Sequence, residues 1–185
     1  MKKILSIVKW FLLIWGGLSL IGLIAFGGII AYQFGPGNKD SVNFASKKDV
    51  EFILIKCGLG EQELKKIINS YASSRSFTGD HLDAFALKVN NISINELINK
   101  TQDKYDSHWH RGDKLPGIID DALSFLAASF SNTDIHWFPN ESELRSDKYY
   151  ICIDTLYYSG ERPICASLIF LRPADKMVFY ISEKT

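Results

Sequence analysis

Residues 107–113 read SHWHRGD, and here the chain comes closest to spelling out a chemistry. On an extended segment His108 and His110 share one side, and two imidazoles on one side are the beginning of a zinc site. Asp106 or Asp113 would add a carboxylate, and His81 with Asp83 repeats the His-x-Asp pattern elsewhere. The metal-binding candidates are therefore His81, His108 and His110. Against them stands the Gly-Asp-Lys-Leu-Pro that follows, a loop composition in which alternation of side chains is not enforced. No His-Glu-x-x-His and no spaced cysteine pair accompanies the histidines. The favoured reading is a loop that buries Trp109 and exposes its polar neighbours, with no metal and no cofactor. Arg111-Gly112-Asp113 spells an adhesion triplet, but nothing else in the chain supports a presented adhesion loop.

Other catalytic signatures are missing from the sequence. It has no Gly-x-Ser-x-Gly elbow, no phosphate-cradling glycine loop and no dinucleotide fingerprint. Asp120 and Asp121 are adjacent, and neighbouring helix positions point about 100° apart, so they do not form a working carboxylate pair. What the second half does hold is aromatic side chains. Trp109, Trp137, Phe138, Tyr150 and Tyr158 are the candidate binding residues, of a kind enriched at recognition surfaces.

The elements that must position these side chains begin with a membrane span. From Trp10 to Tyr32 there is no charged residue. At about 1.5 Å per residue this run reaches roughly 34 Å as a helix, enough to cross a hydrocarbon core of about 30 Å. A cleaved signal would be shorter and would end in a small-x-small site, which Ile29-Ile30-Ala31 does not supply. The sequence thus divides into a cytoplasmic start at 1–9, an anchor at 10–33, a linker at 34–46 and an extracytoplasmic domain at 47–185. Lys2, Lys3 and Lys9 crowd the N-terminal flank and favour that end staying in the cytoplasm. In a bacterium, which the short Met-Lys-Lys start suggests, the protein would sit in the inner membrane with its domain in the periplasm. Gly27-x-x-x-Ala31 suits self-association of the anchor through small residues. Beyond the three N-terminal lysines, 18 basic residues face 21 acidic ones, about −3, with no basic stripe for nucleic acid.

In the soluble part, Ser46 and Asp49 resemble a capping box opening a helix through Val50, Ile53, Leu54 and Cys57, closed by Gly58. A second helix is expected over 61–73, from the spacing of Leu64, Ile67, Ile68 and Tyr71. A strand follows at 83–89, a helix from Ser93, and a helix after Pro116 with its stripe on Ile118, Ile119, Ala122, Leu123, Leu126 and Phe130. The segment 131–142 reads as loop. The last forty residues alternate as three strands of a meander. Pairing Ile151 and Ile153 with the Ile164–Phe170 set demands an odd sum of residue numbers. At 317, Cys152 would face Cys165 directly, a possible disulfide; at 319 they would be diagonal. Cys57 reads as a core residue.

The expected architecture is α+β: helices packed on one face of a roughly four-stranded antiparallel sheet, behind a single membrane helix. The leading functional expectation is a non-enzymatic, membrane-anchored protein whose domain binds another envelope protein, as an accessory subunit or an immunity-type inhibitor. The alternative is an envelope enzyme or metal-dependent sensor built on His81, His108 and His110. Binding of cell-wall glycan by exposed aromatics is a third possibility.

Overall fold

The computed structural model describes residues 2–34, 46–99, 109–131 and 133–185. The chain divides into two compact units, Met1–Lys39 and Asp40–Thr185. The first is helix α1 (Lys2–Phe34). It is long and apolar enough to cross a membrane, and no residue of its Lys9–Gly28 stretch is buried. Trp10, Leu12, Leu20 and Leu23 all stand exposed. That pattern suits a surrounding of lipid rather than a protein core.

The second unit opens with α2 (Lys47–Lys56). The Ser46 N–H donates to the Asp49 carboxylate at 2.6 Å, so the aspartate completes the cap. Val50, Ile53 and Leu54 are buried, and Gly58 takes the left-handed conformation that closes the helix. Strands β1 (Leu64–Ala72), β2 (His81–Val89), β3 (His110–Arg111), β4 (Tyr150–Ser159), β5 (Arg162–Arg172) and β6 (Met177–Lys184) form one sheet in the order β1-β2-β6-β5-β4-β3. Every neighbouring pair is antiparallel. Helices α3 (Ile94–Asn99), α4 (Gly117–Leu126) and α5 (Glu141–Leu144) complete the unit.

Among the described residues the sheet has six strands rather than four, and the helix expected over 61–73 is largely strand β1. The error has a physical cause. Register shifts between Leu64 and Lys66 and between Ile67 and Asn69 each add one residue to β1. Leu64 and Ile67 therefore face the same side although three positions separate them. A doubly bulged strand imitates helical spacing.

The helices also cover both faces of the sheet, not one. On one face α4 sends Ile119, Leu123 and Leu126 onto Ala84, Leu168 and Ile181. On the other, Val50, Ile53 and Leu54 of α2, with Leu97 of α3, pack toward Leu87, Ile169 and Val178. Met177–Ser182 is accordingly buried at six consecutive positions. Such a run reads as apolar throughout, so alternation reveals only one of its two faces.

The terminal meander forms as expected, but its register differs. Cys152 pairs with Ile169, and Tyr157, not Cys152, lies opposite Cys165. Cys165 lies four residues along β5 from Ile169, roughly 13 Å at the usual strand rise. A disulfide needs Cα atoms within about 7 Å. The Cys152–Cys165 bond is therefore not formed: all three cysteines are buried and none is in a disulfide.

Candidate functional site

The segment Thr133–Asn140 folds over the sheet because its two ends are pinned. A short 3-10 turn holds Thr133–Ile135, and the Phe138 N–H donates to the Ile135 carbonyl at 2.8 Å. At the other end Asn140 caps α5. Its Oδ1 accepts the Glu143 N–H at 2.9 Å, while the Glu143 carboxylate accepts the Asn140 N–H at 3.2 Å. Between these pins, Trp137 and Phe138 are turned toward β2, β5 and β6.

The small side chain of Ala86 on β2 lines the same groove as Trp137, Phe138, Met177 and Phe179. The Phe138 ring stacks on Phe130 at 5.7 Å and meets Phe170 and Phe179 edge-on at 5.9 and 5.7 Å. Trp137 leans on Phe138 at 5.9 Å and stays only partly buried.

Beside this cluster a groove of about 490 Å³ opens between the segment and the β1 side of the sheet. Trp137, Phe130 and Phe179 supply its apolar surface; Asn69, His136, Asn140, Glu143 and Arg172 supply polar groups. The Arg172 guanidinium lies over the Phe179 and Tyr149 rings, 5.0 and 5.5 Å from their centroids. It donates to the Tyr149 hydroxyl at 2.6 Å and to both oxygens of Asp175 at 2.9 and 2.8 Å. Arg172 holds the Asp175 carboxyl below the usual range. Burial pushes the Tyr149 phenol up. The floor is therefore rigid and close to neutral, the rim polar. The groove's rings could meet an apolar group and its rim a polar one.

A second cavity, about 370 Å³, lies on the opposite face. Arg75 spans it, donating to both oxygens of Asp83 at 2.9 and 2.5 Å, beside Phe52, Phe85 and Tyr180. Asp49 lies at its edge.

The binding residues expected from sequence fall at different depths. Trp137 lines the groove, and Phe138 is mostly its buried support, at 7% exposure. Trp109 is buried in the core of the opposite face, with Tyr150 packed partly against it. Tyr158 is exposed, near the β4–β5 turn. The five do not converge on one site. Reading residues 131–142 as plain loop passed over His136, the neighbour of Trp137, and gave no sign of Arg172, which only the fold carries to the groove. The Asn140-x-x-Glu143 spacing was the available signal.

The metal-binding set does not assemble either. His81 is on β2 and His110 on β3, four places apart in the sheet, roughly 19 Å at ordinary strand spacing. His81 Nδ1 bonds the Gly79 carbonyl at 2.9 Å, and its Nε2 lies 3.2 Å from the Ser182 hydroxyl, which meets Ser167 at 2.7 Å. Asp83 is committed to Arg75. His108 lies outside the described residues. Among the described residues no group of three or more His, Cys, Asp or Glu side chains gathers as a metal site.

The Arg-Gly-Asp triplet has a structural use. Arg111 pairs with Asp113 through Nε and Nη2, at 2.5 and 2.8 Å. The Gly112 N–H donates to the Tyr149 carbonyl at 2.9 Å.

Fold and groove together define an α+β domain with an aromatic, polar-rimmed cleft, in a chain whose N-terminal helix is long and apolar enough to span a membrane. No known protein-family model matches the chain, nor does any curated protein or any solved structure.

Proposed function

We propose that this is a single-pass membrane protein of the bacterial inner membrane whose periplasmic domain binds another envelope protein and performs no catalysis. In this reading it is an accessory subunit or an immunity-type inhibitor, with its N-terminus in the cytoplasm. The groove beneath Trp137 is the binding surface, taking an aromatic or extended segment of the partner. The observation that carries the reading is this groove: stacked rings for a floor, a polar rim, and walls held by capped and hydrogen-bonded backbone. Preorganised aromatic surfaces with satisfied polar edges bind without a large ordering cost. The alternative of a metal-dependent enzyme or sensor loses support from the separation of His81 and His110.

The test places a photo-crosslinking amino acid at Trp137, and separately at Asn91, in the full-length protein in its native membranes. One stoichiometric adduct from position 137, absent from position 91, is the expected result. Equal labelling from both positions, or none from either, would overturn the groove as a partner site.

A further inference from the structure

One end of the domain is built unlike the rest. Residues 73–80 connect β1 to β2, and at their tip Phe77 stands 88% exposed. The turn that carries it is fully tied. The Gly79 N–H donates to the Ser76 carbonyl at 3.0 Å, and Gly79 takes the left-handed conformation, φ 81°. The Asp80 carboxylate accepts from the Ser76 and Thr78 hydroxyls at 2.9 and 2.6 Å. Lys184 donates to the Thr78 carbonyl at 2.6 Å. A mobile turn would let its phenylalanine fold back; this one holds it in solvent.

Strand register places two more rings at the same end. His81 pairs with Lys184, Lys184 with Cys165, and Cys165 with Tyr157. Tyr157 and Tyr158, leading into the β4–β5 turn, are 64% and 42% exposed. The chain also enters the domain on this side. Asp49, in the first turn of α2, lines the same cavity as Arg75 and Asp83, beside the Phe77 turn. Eleven residues separate Ser46 from Phe34, the last of α1, and they reach at most about 40 Å.

We infer that this end of the domain, through Phe77, Tyr157 and Tyr158, rests in the headgroup region of the bilayer that holds the anchor. The inference rests on the membrane-anchor reading given above. The tether names the occupant, because eleven residues hold the domain within about 40 Å of whatever surface α1 enters. Aromatic rings with basic neighbours are the side chains that favour the membrane interface. Lys47, Lys48 and Arg162 are exposed here, and Lys184 lies beside them. Asp49, Asp80 and Glu161 offset most of their charge, so the rings rather than net charge make the contact. The contact therefore survives raised salt.

Full-length protein reconstituted alone into phosphatidylethanolamine–phosphatidylglycerol vesicles tests this. Phe77→Cys, Tyr157→Cys and Ala174→Cys, the last exposed on the turn at the opposite end of the sheet, each carry a nitroxide. Unsubstituted protein, whose three thiols are buried, is the blank. Labels at 77 and 157 should show a several-fold higher ratio of oxygen to nickel-chelate collisions than the label at 174, unchanged at high salt. Equal, aqueous ratios at all three sites would overturn the inference while leaving the anchor intact, provided the protein stays with the vesicles after carbonate washing. Loss of the protein in that wash would instead bring down the anchor reading, and this inference with it. Protection of 77 and 157 in native membranes but not in pure vesicles would assign the surface to a protein partner and also overturn it.

Discussion

Gly112 shows how a side chain's absence can matter more than the motif around it. A Cβ there would collide with the Leu144 and Ser146 carbonyl oxygens, both backbone and unable to swing aside. Gly112→Ala should destabilise the domain by about 2–3 kcal/mol, as overpacking does. Arg111→Ala, which removes one partner of a solvent-screened pair, should cost much less. Thermal melts of the two variants in the same detergent check this; equal losses would show that the glycine is not squeezed. Glu183 gives a pH prediction. It is half-buried at the end of β6, accepting from Ser129 at 2.5 Å, and burial raises its pKa above the ordinary 4.5. The folded state then binds the proton more tightly than the unfolded one. Stability from this group is present below about pH 4.5 and declines as pH rises through the folded pKa. Glu183→Gln should raise the melting temperature at pH 8, with the gain vanishing by pH 4.

Single elements here are shaped by their ends more than by their interiors. Helix α5 is four residues long, too short to be stable unaided, and exists because Asn140 and Glu143 cap each other. That cap also fixes the far end of the Trp137 wall. Asn140→Ala should cost about 1 kcal/mol and Asn140→Gly only a few tenths. Denaturation midpoints would measure both; a larger loss for glycine would mean that backbone stiffness, not the cap, holds the segment. Strand β1 makes the complementary point. Its two bulges allow Leu64 and Ile67 to share a face and leave Ile68 exposed at the groove. Bulges at an edge strand also blunt it against pairing with another chain.

At the scale of the whole molecule, the proposed surfaces are separate. The groove lies by Ala86, Met177 and Phe179, toward the turn that joins β5 to β6. Phe77, Tyr157 and Tyr158 lie at the opposite end of the same strands. A domain resting on lipid by one end would keep the other accessible to a partner. The crosslinking and nitroxide experiments therefore report independently, and Phe77→Cys should leave a position-137 adduct unchanged.

Much was legible in the sequence because it depends on neighbours in the chain. The uncharged run from Trp10 to Tyr32, the Ser46–Asp49 cap, the α4 stripe apart from the exposed Ile118, and the C-terminal meander follow from local composition and periodicity. What the tertiary structure decided depends on sequence-distant partners. Bulges in β1 shifted side chains between faces, turning an expected helix into a strand, and the register of β4 on β5 set Cys152 opposite Ile169 rather than Cys165. Burial on both faces concealed the second core. Strand order put His81 and His110 at distant positions in the sheet while bringing Arg172 to Trp137. Local periodicity records which residues avoid water; only the pairing of strands determines which of them meet.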